Sequence, residues 1–525
     1  MREYIEQPAV LTRPTSSEEP QDTSSNKFRW MRHFFTEDVS AGNRPLIELQ
    51  RRAMWIGIAC VLQAFNQIDS VWYLQFLPFL RPIVNVYPVF LILGSFYAMW
   101  QALRPSPLKK RRERSLEHTQ RWQRIVLICI LLAAIGGSVE FGRTAVLSFL
   151  PPQYSNDGTS LDTNAAALLL QGRNPYTDSD IVHLVRVFSI QPDWTTPLRE
   201  GQFAGRLIYP SPVEMRTVLD TDLKAGIAPE FESKVSYPAL SFLSLLPFIG
   251  LGIYNVLVFY FVSYLVLVGI AWKMVRPELR PWVLLLGLAN VGMLSSLAGG
   301  NLDIFNILLI VFAWLLRDRK WSSAIFLGLA VATKQPSWLL VPFYGIMVWR
   351  NYSFKEALRR LSIAGAVALA INLPFILWDP HAWLSGVLAP VVDPMFPMGN
   401  GLISLSFASI LPFFPTWVYS ILEVSTMLLC LAWYWRVCEK IPEAAILLAF
   451  VPLFFAWRSL PSYFYCSAYP LFVLLTSRGL PRLGGQPRKA VQVQFSYERP
   501  MVGNLAGTVG VRAALPFPGM IHSLR

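Results

Sequence analysis

The stretch IYNVLVFYFVSYLVLVGIAWK at residues 253–273 has a single charged side chain, Lys273, which stands at its last position. A helix rises about 1.5 Å per residue, so a run of this length spans a hydrocarbon core of about 30 Å. Lipid cannot hydrogen-bond an exposed backbone, so a chain that crosses it must form helices or a closed barrel. The run lacks the strict alternation of a barrel strand. It therefore predicts a transmembrane helix.

Similar apolar runs recur along the chain, which is 54% hydrophobic and only 15% charged. They cover residues 53–72, 83–103, 124–150, 281–299, 302–316, 321–333, 336–349, 361–378, 415–436, 443–457 and 463–477. Together with 253–273 they predict an all-α polytopic membrane protein with about twelve transmembrane helices. Residues 237–249 are apolar but too short for a full span, so we expect an interfacial or re-entrant helix there.

Basic residues concentrate in three short connections between these runs. They are Lys109, Lys110, Arg111, Arg112, Arg114, Arg317, Arg319, Lys320, Arg350, Lys355, Arg359 and Arg360. Short basic loops stay in the cytoplasm, so these residues predict the orientation of the bundle. They also account for the net charge of +13 without a nucleic-acid partner. Alternate crossings then place both termini in the cytoplasm and the polar segment 151–236 on the external side.

Four regions follow from this topology, in a multi-pass protein of the cell (plasma) membrane. Residues 1–52 are polar and lack the apolar core of a signal peptide, so we expect a disordered cytoplasmic tail. The other regions are 53–123, with two transmembrane helices and a basic loop; 124–477, the main transmembrane domain with the external loop 151–236; and 478–525, a cytoplasmic tail.

The external loop opens with SNDGTSLDTNAAALLLQGRNPY, residues 155–176. An Ala/Leu helix is expected from about Asn164 to Gln171, with Gly172 closing it. Asp157, in the polar turn ahead of this helix, could be held at the lip of a cavity as a general base. Alternatively, Asp157 makes an Asx turn and Asp162 caps the helix, and the residues alone favour this second interpretation.

Polar residues also interrupt apolar sequence at two external turns, GGNLD at 299–303 and TKQP at 333–336. Each turn carries an ionisable residue, Asp303 in the first and Lys334 in the second. Short helices that break at the outer face would line a cavity there. Ordinary hairpin turns are the alternative.

The start of the external loop resembles that of membrane glycosyltransferases of the GT-C type, and more narrowly of glycosyltransferase family 87, a mannosyltransferase-like group. The residues that carry the resemblance are Asp157, Ala165, Ala166, Leu168, Leu169, Leu170, Gly172, Asn174, Pro175 and Tyr176. Further matching pieces follow in order: Tyr237-Pro238, Gly300-Asn301 to Asn306, Lys334, and Pro461 to Tyr465. The resemblance covers roughly residues 124–477, although Asn301 stands where glutamine is usual.

This resemblance implies a GT-C-like bundle whose large external first loop, with its short helices, is catalytic. It implies inverting transfer of a sugar, such as the hexose mannose, from a polyprenyl-phosphate donor. The acceptor would be a hydroxyl on a glycolipid, polysaccharide or protein at the external face. Asp157 would be the general base, with Asp162 as a second catalytic carboxylate. Lys334 and Arg458 would bind the donor phosphate. Tyr176, Asn301, Asp303 and Tyr463 would contact substrate.

Other polar residues are assigned structural roles. Arg143 is expected to pair with Glu140, one helix turn away. His183 and His381 have no partner at metal-ligand spacing and are expected at the surface. Asp178 and Asp180 could hold a divalent ion but are more typical of solvated loop charges, so we predict no cofactor. The five cysteines lie in or beside apolar runs and predict neither disulfides nor zinc.

Two other functions compete with transfer. A lipid or glycolipid transporter or flippase also uses broken helices and intramembrane charges, but it should carry polar residues near the bilayer midplane. Glu140, Arg143, Lys334 and Arg458 map instead toward one end of their spans. A noncatalytic membrane assembly protein is the third alternative, because a fold alone does not establish catalysis.

Overall fold

The computed structural model describes residues 44–68, 81–104, 116–152, 156–188, 190, 194–227 and 230–477. Three long helices come first: α1 (Arg44–Ile68), α2 (Arg81–Leu103) and α3 (Leu116–Leu147). Helix α1 packs on both others, while one face of α3 leaves Leu132, Ile135 and Val139 more than half exposed. An exposed apolar stripe of this kind suits contact with lipid. The expected tails lie almost wholly outside the described residues.

The segment after α3 folds into short helices, some of which surround a small separate apolar core that includes Leu184, Phe203 and Leu219. These are α4 (Asp157–Leu170), α5 (Pro175–Asp178), α6 (Ile181–Phe188), α7 (Pro212–Ala225), α8 (Leu240–Leu243) and α9 (Leu246–Gly250). Helix α7 begins with a capping box in which Ser211 and Glu214 satisfy each other's backbone N–H groups. The apolar stretch 237–249 forms only the short helices α8 and α9, consistent with a segment that does not span.

The rest of the described chain continues as a series of helices. Its helices are α10 (Leu257–Met274), α11 (Arg280–Ala289), α12 (Val291–Ala298), α13 (Asp303–Leu315), α14 (Lys320–Val331), α15 (Leu340–Asn351), α16 (Phe354–Trp378), α17 (Pro380–Val392), α18 (Ile403–Phe407), α19 (Thr416–Val437), α20 (Ala444–Leu448) and α21 (Pro461–Thr476). Two-residue strands β1 (Met398–Gly399) and β2 (Arg458–Ser459) pair in parallel between α17 and α21. Helix α17 was not expected from the sequence.

Among the described residues, five helices are long and apolar enough to cross a membrane, and six if a bent pair counts as one span. The bent pair is α11 and α12, which meet at 56° around Asn290. Asn290 caps α12 by accepting a hydrogen bond from the Met293 backbone N–H, so the break has a local cause. The prediction of a mainly helical membrane protein is confirmed, whereas the number of about twelve spans stays a prediction.

Small residues let helices approach closely near the site. A Cβ atom at Gly328 of α14 would lie 2.5 Å from the carbonyl oxygen of Ala364 in α16. A glycine is therefore required for this packing, which is typical of membrane helix interfaces. The contact fixes α14, and α14 leads directly to Lys334.

The two ends of the bundle differ in charge. Helix α13, of 13 residues, begins at Asp303 and leads to Arg317, so these residues lie about 20 Å apart along its axis. At the Arg317 end, Arg360 donates to the Arg317 carbonyl oxygen over 2.6 Å, and Arg317 pairs with Glu443 over 3.4 Å. The later basic turns thus gather at one end, here called the basic end. The opposite end, which carries Asp303 and Lys334, is called the site end.

Candidate active site

The N-terminus of α4 is fixed to the 299–301 turn. Asn156 is the N-cap: its side-chain oxygen accepts from the Thr159 backbone N–H over 2.8 Å, and its amide nitrogen donates to the Gly299 carbonyl over 2.7 Å. Thr159 Oγ1 donates to the Gly300 carbonyl over 2.6 Å. Gly300 has φ of +75°, which favours glycine at this close approach. Two elements distant in sequence therefore meet where the helix begins.

Asp157 is the first residue of α4 and is half-buried. Its Oδ1 accepts from the Gly158 backbone N–H over 2.8 Å, and its Oδ2 accepts from Thr196 Oγ1. A helix N-terminus carries a partial positive charge, which stabilises a carboxylate there. Because a carboxylate accepts about four hydrogen bonds, Asp157 keeps lone pairs for another partner.

Arg458 lies in the same neighbourhood as Asp157. The Tyr209 phenol is within electrostatic range of both side chains. Its ring packs edge-on against Phe396 at 5.6 Å, and the Phe396 carbonyl oxygen accepts a hydrogen bond from Arg458 over 3.3 Å. Burial raises the pKa of Tyr209 to about 12, so the phenol stays protonated and can donate. We call Asp157, Tyr209 and Arg458 the outer group.

Lys334 and Asp303 form a buried pair deeper in the site. Lys334 Nζ donates to Asp303 Oδ1 over 2.7 Å and lies 3.5 Å from Asn301 Oδ1. The same ammonium stands 5.1 Å from the centroid of the Tyr237 ring, at cation–π distance. Lys334, predicted at the external end of its span, is enclosed by Asp303, Asn301 and Tyr237.

Asp162 is not a helix cap. Helix α4 begins at Asp157 rather than near Asn164, so Asp162 lies inside the helix, and the capping interpretation is wrong. Its side chain is buried and accepts from Ser241 Oγ over 2.7 Å. Burial raises the pKa of Asp162 from 3.8 to about 7, against the opposing effects of the Ser241 hydrogen bond and the Lys334 charge. A carboxyl group in this state is a weak candidate for a base that must be ionised.

Tyr463 connects the two groups. Its side chain is within electrostatic range of Lys334 and Asp303 on one side and of Arg458 on the other. The motif after β2 therefore contributes to both the outer group and the buried pair. Seven of the eight predicted site residues gather in this region: Asp157, Asp162, Asn301, Asp303, Lys334, Arg458 and Tyr463.

Tyr176, the eighth, lies in the apolar core rather than at an open surface. Its hydroxyl donates to the Tyr237 carbonyl oxygen over 2.8 Å, and its ring packs against Phe242 and Phe375. It is buried and holds Tyr237 in place. The sequence correctly assigned the turn before it, since Gly172 closes α4 with φ of +74° and Asn174 caps α5.

Two site residues were missed from the sequence, Thr196 and Tyr209. Both lie in the irregular part of the loop, in the stretches TTP and YPSP. Neither residue belongs to a helix-capping motif or to a periodic pattern of apolar residues. Tyr209-Pro210 does repeat the Tyr-Pro pair of Tyr237-Pro238, which was the one available signal.

Three other polar side chains have partners close by in the sequence. Arg143 pairs with Glu140 over 3.3 Å, as predicted. Asp178 pairs with Arg173 over 2.9 Å, and Asp180 accepts from the Val182 backbone N–H at the start of α6. In the part of the chain described by the structure, His, Cys, Asp and Glu side chains do not form a group of three or more suited to a metal ion.

The model of glycosyltransferase family 87 matches residues 236–460. This range includes Asn301, Asp303, Lys334 and Arg458, whereas Asp157 and Tyr463 lie outside it. Searches of curated proteins and of solved structures gave no match. The matched region and the apolar helices agree on an integral membrane enzyme of sugar transfer. The chain is therefore a membrane glycosyltransferase, similar to glycosyltransferase family 87 over residues 236–460.

Proposed function

We propose that this glycosyltransferase transfers a hexose, with mannose the first candidate, from a polyprenyl-phosphate donor to an acceptor hydroxyl on the external side of the membrane. The acceptor class is a glycolipid, polysaccharide or protein. The observation that carries the proposal is the outer group, in which a carboxylate and a guanidinium from distant parts of the chain both lie within electrostatic range of Tyr209. An arrangement of this kind suits a reaction that needs both a base and an anion-binding cation.

Asp157 is the general base in this proposal. As the acceptor oxygen attacks the anomeric carbon, Asp157 takes the proton of the acceptor O–H. The bond between the anomeric carbon and the phosphate oxygen breaks, and polyprenyl phosphate leaves with the bonding electrons. A single displacement inverts the anomeric carbon. A positioned base contributes about a hundred- to ten-thousand-fold to such a step.

Arg458 is the main phosphate ligand. Among the described residues it makes no ion pair with a carboxylate, and its guanidinium donates to the Phe396 carbonyl oxygen. A guanidinium can bind two phosphate oxygens at once and neutralise the charge that develops on the leaving group. The Lys334 ammonium is a second positive charge in the site, although it already pairs with Asp303.

The location of the site supports the external side. Asp303 and Lys334 lie at the site end, whereas Arg317 and Arg360 lie at the basic end. Short basic loops are retained in the cytoplasm, which leaves the site end outside. Charges gathered at one end also favour transfer over transport, because a transporter places its ionisable residues near the midplane.

The test uses the full chain in proteoliposomes, with short-chain polyprenyl-phosphate mannose, glucose and galactose as donors and membranes that contain the native acceptor. We expect transfer from at least one donor, a product of inverted configuration, and a large loss in Arg458→Gln. The matched control is Arg173→Gln, whose side chain forms a surface pair with Asp178 in the external loop. Failure of every lipid-phosphate donor, or a product of retained configuration, would overturn the proposal.

A further inference from the structure

We infer that Thr196 is a positioning residue that orients the Asp157 carboxylate for proton removal; this inference rests on the proposed role of Asp157 as base. The contact is a hydrogen bond from Thr196 Oγ1 to Asp157 Oδ2. An ionised carboxylate only accepts hydrogen bonds, so the threonine hydroxyl must be the donor. The two residues stand 39 positions apart in the sequence.

The two carboxylate oxygens of Asp157 are held from different sources. Oδ1 accepts from the backbone N–H of Gly158, which belongs to the same helix and moves with it. Oδ2 accepts from Thr196, which belongs to a separate segment of the loop. A bond to the next residue alone leaves the carboxylate free to follow its helix. The second bond, from outside α4, fixes the carboxylate relative to the rest of the site.

Thr196 is itself held by backbone pairing. The Glu232 backbone N–H donates to the Thr196 carbonyl oxygen over 2.8 Å. The next residue, Pro197, pairs with Phe231 in an antiparallel bridge, and Leu198 forms another with Met395. Three chain segments therefore run side by side behind Thr196. Its hydroxyl is presented from an ordered support and not from a loose loop.

An ion pair closes this support. Lys234 Nζ donates to both carboxylate oxygens of Asp393, over 2.9 and 2.8 Å. The Arg199 backbone N–H donates to the Pro394 carbonyl over 2.7 Å. These contacts join the loop to the segment that follows α17, which leads on to Phe396 and the outer group. The support of Thr196 and the support of Arg458 are thus one structure.

The chemical consequence concerns the direction of the Asp157 lone pairs. General-base catalysis needs a lone pair aimed at the acceptor proton, and small displacements of a reacting group are costly. With one lone pair on each oxygen occupied, rotation of the carboxylate is restricted and the free lone pairs keep a fixed direction. Thr196 therefore contributes orientation.

The experiment compares Thr196→Val, which removes the hydroxyl at nearly equal volume, with Thr196→Ser, which retains it. For Thr196→Val we expect kcat to fall by about ten- to a hundred-fold, with little change in the KM for the polyprenyl-phosphate donor. Thr196→Ser should restore the rate.

Thr217→Val is the matched control, because Thr217 is exposed on α7 and donates only to the Val213 carbonyl. A Thr196→Val enzyme with wild-type kcat would overturn the inference. A loss of rate that Thr196→Ser fails to restore, or that is matched by a higher donor KM or a lower unfolding temperature, would also overturn it in favour of a purely structural role. Asp157→Asn distinguishes failure of the proposed function from failure of this inference. If Asp157→Asn is active, Asp157 is not the base. If Asp157→Asn is inactive while Thr196→Val is normal, only the inference about Thr196 is wrong.

Discussion

Lys334 donates to Asp303 over 2.7 Å, and both side chains are less than one-tenth exposed. Loss of one partner from a buried pair leaves an uncompensated charge, which costs about 3–5 kcal/mol. We therefore expect Lys334→Met and Asp303→Leu each to lower the free energy of unfolding strongly. The double variant should recover much of the lost stability. The free energies are measured by unfolding each variant in detergent solution.

The exposed pair Arg173–Asp178 provides the control for that series. Its side chains are 48% and 33% exposed, so Asp178→Asn should change the free energy of unfolding by less than about 1 kcal/mol. Equal losses in the buried and the exposed series would show that Lys334 and Asp303 are not coupled as described.

Asp162→Asn should be mild, because asparagine resembles the protonated carboxyl group and can still accept from Ser241. Since the pKa of Asp162 is raised to about 7, the folded state retains a proton that the unfolded state releases near pH 4. The resulting stabilisation is complete below about pH 4 and is lost as pH rises through about 7. The variant should lack this dependence while keeping activity close to wild type. Thermal unfolding of wild type and variant across this pH range measures the difference. If both proteins show the same pH dependence, the raised pKa of Asp162 does not contribute to stability.

Glu232 should add a second pH dependence, in the loop that supports Thr196. Burial is the main cause that raises its pKa, the nearby Asp393 carboxylate adds to the shift, and the hydrogen bond from the Lys234 backbone N–H opposes it. The folded loop therefore favours the protonated acid, and its stability falls as pH rises above the ordinary range of glutamate. Glu232→Gln should unfold at a higher temperature than wild type at alkaline pH and at a similar one at acidic pH. A wild-type profile in the variant would refute this.

Gly328→Ala tests the helix contact that fixes α14. The added Cβ would meet the Ala364 carbonyl oxygen at 2.5 Å, and overpacking of this kind costs about 1–3 kcal/mol. Since α14 leads to Lys334, transfer activity should fall together with the unfolding temperature. Gly365→Ala is the matched control, because its Cβ would meet no atom within 4 Å among the described residues. Indistinguishable effects of the two substitutions would show that the contact is unimportant.

The spans and the local turns could be predicted from the sequence because their causes are local. Apolar runs of sufficient length indicated α3, α10, α16 and α19, and glycine chemistry indicated the end of α4 at Gly172. The pairing of Arg143 with Glu140 follows from helical spacing. In each case neighbours in the sequence are also neighbours in space.

The remaining features depend on contacts between distant segments. Asp162 is hydrogen-bonded by Ser241, 79 positions away, and Thr196 reaches Asp157, 39 positions away, from a segment that pairs with the backbone of Glu232. Tyr209 acquires its position from Phe396. The bend at Asn290 also escaped prediction, since a single asparagine within an apolar run resembles an ordinary polar interruption. Family resemblance, and not periodicity, singled out Asp157 and Arg458, which both lie within electrostatic range of Tyr209 in the structure.

The role of Asp157 is tested most directly by Asp157→Asn in proteoliposomes, with Asp220→Asn on the exposed face of α7 as the matched control. Asparagine keeps the size of the side chain, and its single oxygen can still accept from Gly158 or from Thr196, but it cannot remove a proton at the pH of the reaction. We expect Asp157→Asn to fold and to bind the polyprenyl-phosphate hexose as wild type does, while transfer falls by at least about a hundred-fold. Transfer at the wild-type rate by Asp157→Asn would contradict the account.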